Sequence, residues 1–331
     1  MTNDTITAQG AAAQGSAAGR SAQADTGSQA TSRIPRRRTR RLPSPGRMLA
    51  WLYLIVILVI TIFPFYWMLR TALSNNHALT THPTSLLPVD FTFGPFLRAL
   101  GLASVEDARA EGGSGAALDL GIYLRNSVLY AGIATFCQVF FAALAAYSFS
   151  RLQWKGRDIV FGILFTALML PAILTLLPNF VLIKDLGLMN SFAGLILPGA
   201  FFSAFNIFFL RQFFLGLNRE IEEAAVIDGA SKIRILFQVV MPTASGPIVT
   251  LTILGFINYW NDYFWPLLIA GDRNVQPLTL ALAVFKQSSP QVAPDWAGLM
   301  AASLLAALPM LLLFMVFGKR IVNSLGFTGI R

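Results

Sequence analysis

Ionisable and metal-binding side chains are scarce in this chain of 331 residues, which has one Cys, two His and sixteen Asp plus Glu, and is only 12% charged. A single thiol excludes a disulfide framework, and two His are too few for a zinc cluster. So few acids leave little material for a relay of buried proton carriers. Cys137 sits in an apolar run and reads as a small core residue. A phosphate cradle of the Gly-x-x-x-x-Gly-Lys-Ser/Thr type is also missing, because Gly318-Lys319-Arg320 lacks both the upstream Gly and the hydroxyl. We therefore expect no catalytic residue, no metal and no cofactor bound by this chain. Soluble domains carry about a quarter charged residues. With 55% hydrophobic residues and a mean hydropathy of +0.61, this is a membrane protein.

The net charge of +9 is unevenly placed. Residues 1–47 are rich in Ala, Gly, Ser, Thr and Gln and poor in branched apolar and aromatic side chains, so they cannot bury enough surface to offset chain entropy. They are predicted to be a disordered Arg-rich cytoplasmic tail, set apart from the apolar remainder at 48–331. Eight Arg, against Asp4 and Asp25, place six of the nine net positive charges there. Such a run could bind RNA, carry a twin-Arg signal or hold the start of the chain at anionic membrane lipid. The last is the simplest reading, and it predicts lipid and no nucleic acid as the tail's partner. The following apolar run is longer than a signal h-region and lacks a small-residue cleavage site, so it is expected to stay as an anchor.

A bilayer core of about 30 Å needs about 20 apolar residues in a helix. Six runs of that kind are present, at 48–69, 122–149, 159–183, 192–210, 247–270 and 297–317. Pro171, Pro178, Pro198 and Gly255 predict kinked, packed helices within them. The expected fold is all-α, a polytopic membrane protein with six transmembrane helices. Alternating the segments places eighteen Lys and Arg on the side of the N-terminus and six on the other. The excess puts both termini in the cytoplasm. The first outer loop, 72–121, reads as a flexible external excursion.

The inner segment from Arg211 to about Gly246 is too long for a turn. Asn218 is a plausible N-cap for Glu220, Glu222 and Glu223, where the helix dipole favours acids. Gly229 permits a bend, and Ser231 to Val240 then carries Ile233, Phe237 and Val240 at spacings that share one helical face. Pro242 sends the chain back toward the membrane. Two readings fit this pattern: a helix pair lying on the inner leaflet with Lys232 and Arg234 as anchors, or a knob offered to a partner.

The residues Glu222, Glu223, Ala224, Ala225, Asp228, Gly229, Ala230 and Pro242, in this order and in an inner loop before the penultimate span, resemble the EAA loop of ABC importer permeases. Asn126-Ser127, Ala146 to Arg151, Met169-Leu170-Pro171 and Trp260-Asn261-Asp262 extend the resemblance over nearly the whole chain from Met48, toward the six-span partner of the maltose-type carbohydrate permease pair. Asn218 stands where the family usually has Pro, and the chain stops at Gly329-Ile330-Arg331 where the family tail commonly runs on. The resemblance implies an inner membrane of a bacterium or archaeon and a cytoplasmic coupling-helix loop. It also implies a separate ATPase dimer that binds the ATP, a second permease subunit and an extracytoplasmic solute-binding protein. It implies transport of a sugar or oligosaccharide, with glycerol phosphate or a polyol as an alternative within the class.

A solute path needs a few polar groups and flat surfaces in an otherwise apolar lining. Asn258, Trp260 and Asn261 supply amides and an indole within about a turn, and are candidates for that path, although Asn also ties helices together and Trp gathers at the interface. Asp262, an acid well inside the fifth run, is expected to meet water or Arg273. An ion-coupled secondary transporter is the competing class, and it usually shows more intramembrane carboxylates or inverted repeats.

Overall fold

A computed structural model describes residues 45–113, 118–288 and 294–325. The predicted tail up to residue 44 and the terminus 326–331 lie outside the described residues. The chain divides into 1–54 and 55–331. The described part of the first unit is the opening of α1 (Pro45–Ala72), where residues 48–54 are all exposed. The exposed apolar run continues through Phe65 within the second unit, a surface suited to lipid rather than water.

Among the described residues there is no strand, only an isolated antiparallel bridge between Ser74 and Phe91. After α1 the chain forms three short helices, α2 (Asn76–Thr81), α3 (Gly94–Ala99) and α4 (Val105–Ala110). Asn75 and Ser104 cap α2 and α4 by accepting from His77 N and Asp107 N. This region corrects the expectation of a flexible excursion. Arg98, 2% exposed, pairs through Nη1 with Glu111 at 2.5 Å and through Nε with the buried Asp295 at 3.1 Å. Asn76 donates to Gly112 O and Pro294 O and accepts from Ala297 N. The loop is thus fastened to the start of the last helix by buried polar bonds, which are costly to leave unmade. Part of its Gly-rich stretch, 114–117, is outside the described residues.

Helix α5 (Leu120–Arg151) is the centre of the bundle. Its 32 residues span about 48 Å at about 1.5 Å each. Ala131, Ala134, Ala142, Ala143 and Ala146 are almost fully buried along it, and such small side chains let neighbouring backbones approach closely. The sequence 159–183, read as one span, forms α6 (Arg157–Thr166) with a 3-10 turn to Met169, then α7 (Ile173–Asp185), bent by 104°. Pro171 is the cause: it has no N–H to donate and forces Leu170 before it into extended backbone (φ −84°, ψ 121°). The fourth region is likewise α8 (Phe192–Ala200) and α9 (Ala204–Leu215), bent by 45°.

Next come α10 (Glu220–Ile227), α11 (Lys232–Ile235), a π turn at Leu236–Val240 and the short α12 (Met241–Thr243). The segment Lys232–Thr243 meets α13 (Ser245–Trp260) at 81°. The fifth region therefore does not run unbroken to residue 270. It stops at Trp260, and α14 (Phe264–Ile269) follows after Asn261, Asp262 and Tyr263. Helices α15 (Leu278–Ser288) and α16 (Trp296–Leu325) complete the described chain. Among the described residues, three helices are long and apolar enough to cross a membrane alone, and the number is up to six if each bent pair is one span.

Helix α5 packs against α8, α9, α13 and α15. Asn126 and Ser127, fully buried near its start, explain why that pair matters. Asn126 Nδ2 donates to the carbonyls of Arg273 (3.1 Å) and Gln276 (2.9 Å), and Ser127 Oγ accepts from Leu278 N at 2.7 Å. Together they fix the entry of α15 against α5.

Candidate functional site: the bent loop before α13 and the face of α13

At one end of the bundle, α10 starts one residue later than an Asn218 N-cap would place it: Arg219 is the N-cap and makes no side-chain cap, while Asn218 Oδ1 accepts from Glu220 N at 3.1 Å. Glu220, Glu222 and Glu223 occupy its first turn. It ends in a left-handed Gly turn: Gly229 has φ +80°, Ala230 N donates to Ala225 O and Gly229 N to Val226 O. This is a Schellman closure, in which glycine avoids the strain an L side chain would meet. Ser231 then caps α11 by accepting from Arg234 N.

The second half of the loop packs differently from the sequence expectation. Ile235, Leu236 and Val240 are the buried residues, whereas Ile233 and Phe237 are exposed. A π turn closes i→i+5 hydrogen bonds and widens the helix by one residue. It brings Ile235 and Val240 onto one face and turns Phe237 away, to lie 6.1 Å from the Phe140 ring. The buried three join Val139, Ala142, Leu210 and Phe214 in one core cluster, with Ala225 and Ala230 packed against it. Small residues at 225 and 230 let the loop lie close to the bundle.

One charged contact ties the loop to the central helix. Arg151, the last residue of α5, places Nε 2.8 Å from Glu222 Oε1, its side chain 4% exposed. That approach is an ion pair without hydrogen-bond alignment, and Nη1 has no partner among the described residues. Only Nη2 donates, to Leu217 O at 2.9 Å. Of the remaining loop residues, Glu223, Ala224 and Asp228 are exposed, and Pro242 is exposed at the start of α12. Ile221, Val226, Ile227 and Ile233 are exposed beside them, Ile227 to 87%. The loop thus presents an apolar patch edged by acids, the character of a protein-binding surface.

Toward the other end, α13 exposes a stripe of Leu254, Ile257, Asn258 and Asn261 at helical spacing. Trp260 is not on it. It is 5% exposed, packs into the other core cluster and stacks 5.7 Å from Phe256. Trp260 and Asn261 line a cavity between α13, α15 and α16, and Asn258 does not. Two hydroxyls in that cavity, Thr279 and Ser303, were not among the sequence candidates, because single hydroxyls in apolar runs carry no pattern. Arg151 was visible as a basic residue at the end of a span and of the stretch Ala146 to Arg151, with no signal of its partner. Asp262 departs from the expectation of an Arg273 contact: it accepts from Tyr130 Oη at 2.7 Å, while Arg273 pairs with Asp119 at 2.8 Å.

Residues 138–326 match the model of the family described as binding-protein-dependent transport system inner membrane component. The sn-glycerol-3-phosphate transport system permease protein of Pectobacterium atrosepticum is 33% identical, over 82% of this chain and 93% of that one. The diacetylchitobiose uptake system permease protein of Streptomyces coelicolor is 31% identical, over 82% of this chain and 84% of its own. The trehalose/maltose transport system permease protein of Thermococcus litoralis is 28% identical, over 84% and 95%. A crystal structure of a bacterial ABC transporter involved in import of the acidic polysaccharide alginate shares the fold, with a TM-score of 0.71 and 22% identity over 85% of this chain and 99% of that one. The matched family is one of membrane subunits of transporters, which are not enzymes. With more than half its length matched, this multi-pass membrane protein belongs to the family of binding-protein-dependent transport system inner membrane components.

Proposed function

We propose that the chain is one of two permease subunits of an ATP-driven importer, that α10 and α11 form a cytoplasmic knob held by a separate ATPase dimer, and that an extracytoplasmic binding protein delivers a sugar or oligosaccharide to the opposite end. The observation that carries this reading is the acid-edged apolar knob joined to α5 by the Arg151–Glu222 pair. Glu223, Ala224, Asp228 and Pro242 are exposed, the first three for contact with the ATPase, while Glu222, Ala225 and Ala230 hold the knob to the bundle. Movement of the knob as the ATPase closes acts on α5 through that ion pair and on α13 through the bend after Thr243. Asn258, Trp260 and Asn261 belong to the solute path in this reading. The diacetylchitobiose and trehalose/maltose relatives favour a saccharide, and the glycerol-phosphate relative supports the alternative of a phosphate ester.

The test is uptake by the assembled complex carrying Glu223→Lys or Gly229→Asp. Gly229 has no atom within 4 Å of a built Cβ, so the second change acts through backbone strain at positive φ and added charge rather than a clash. Both variants are expected to abolish uptake and to weaken retention of the ATPase, with membrane insertion unchanged. A Glu223→Lys, Gly229→Asp double variant that still holds the ATPase and imports solute would falsify the coupling role.

A further inference from the structure

The cavity between α13, α15 and α16 measures about 510 Å³, inside the roughly 300–1,000 Å³ range of small-molecule sites. None of its lining side chains is ionisable, and its polar ones are Asn261, Thr279 and Ser303. Their donors are already engaged. The Thr279 hydroxyl donates to Trp260 O at 2.8 Å, the Ser303 hydroxyl to Leu299 O at 2.7 Å, and Asn261 Nδ2 to Ile257 O at 2.8 Å. A hydroxyl has one proton, so Thr279 and Ser303 offer the cavity lone pairs only, and Asn261 adds a carbonyl oxygen and one amide hydrogen. Such a lining accepts hydrogen bonds far more readily than it gives them.

A phosphate ester is the wrong ligand for that lining. Its oxygens accept, they would face the Thr279 and Ser303 lone pairs, and no cation offsets the loss of its hydration. A sugar hydroxyl donates and also accepts, so it meets both the lone pairs and the single amide hydrogen. Leu278, Leu282, Met310 and Phe314 supply apolar surface for the C–H side of a ring. Ile257 and Asn261 belong both to the cavity and to the exposed stripe of α13, so the cavity opens beside Asn258. We infer that this subunit contributes its own subsite for an uncharged, hydroxyl-rich part of the solute, a neutral glycoside and not a phosphate ester. The inference rests on the importer reading above.

The experiment uses the complete complex in liposomes and measures uptake of radiolabelled trehalose, maltose, diacetylchitobiose and sn-glycerol 3-phosphate. The expected result is ATP-dependent import of at least one neutral saccharide. Ser303→Ala and Thr279→Val should each raise KM about tenfold, corresponding to about 1.4 kcal/mol. Ala307→Trp, which fills the cavity, should cut uptake at least tenfold, with ATPase retention unchanged in all three. Import of glycerol phosphate alone, import of none of the neutral saccharides, a KM indifferent to both Ser303→Ala and Thr279→Val, or uptake indifferent to Ala307→Trp overturns the subsite. Uptake that persists without the ATPase overturns the importer reading instead, so the two failures are distinguishable.

Discussion

Arg98 illustrates how single residues set this structure. Its guanidinium is buried, yet Nε and Nη2 lie 3.1 and 3.2 Å from the two oxygens of Asp295 and Nη1 meets Glu111. Removing one member of a buried pair strands the other charge in a medium that solvates it poorly, at a cost of about 3–5 kcal/mol. Arg98→Met is therefore expected to lower the thermal unfolding midpoint of the purified complex, and Arg98→Met with Asp295→Leu to recover part of the loss. An unchanged midpoint in the single variant would mean that the first loop is held by other contacts. The sequence could not reveal this pairing, since 197 residues separate the partners. Gly229 is the opposite case: its left-handed turn follows from local chemistry and was legible from the residue type.

Among the elements, the π turn at Leu236–Val240 is the clearest departure from simple periodicity. A count at 3.6 residues per turn groups Ile233, Phe237 and Val240, whereas the wider turn buries Ile235, Leu236 and Val240. Gln238 is exposed within it. Deleting Gln238 should restore an α-helix and rotate α10 and α11 by about 100° relative to α13, given 3.6 residues per turn. The deletion is expected to lower solute-stimulated ATPase activity at least tenfold, while Gln238→Ala keeps it. Equal activity in the two variants would show that the orientation of the knob is unimportant. The bends at Pro171 and before Ser203 belong to the same scale. Proline signalled the first, while the 104° it produces depends on where α7 finds neighbours.

Across the whole molecule, the described Lys and Arg are partly paired and partly exposed on both sides. On the side assigned to the exterior, Arg98 and Arg273 are paired with acids, Arg125 donates to Asn126, and Arg70, at the end of α1, donates to the carbonyls of Leu87 and His82. On the opposite side Arg151 and Arg157 are likewise paired with acids and Lys155, Arg219 and Lys232 are exposed, while Arg109, Lys184 and Lys286 are exposed on the first. In a Cys137→Ala protein, a membrane-impermeant maleimide should label Thr84→Cys in intact cells and Ser231→Cys only after lysis. The reverse pattern would place the knob outside, where no ATPase could reach it.

The sequence by itself determined the membrane class, the six apolar regions, the position of the knob and its bend. Each depends on composition, on run length or on the conformational preference of a local residue. Only the tertiary structure decided that Glu222 meets Arg151, that the first loop is locked by Arg98 and Asp295, and that Thr279 and Ser303 share a cavity with Asn261. Those arrangements join residues far apart in the chain. They follow from how kinked helices pack around α5, because bend angles and helix rotations, rather than hydropathy, choose which isolated polar groups come within reach of one another.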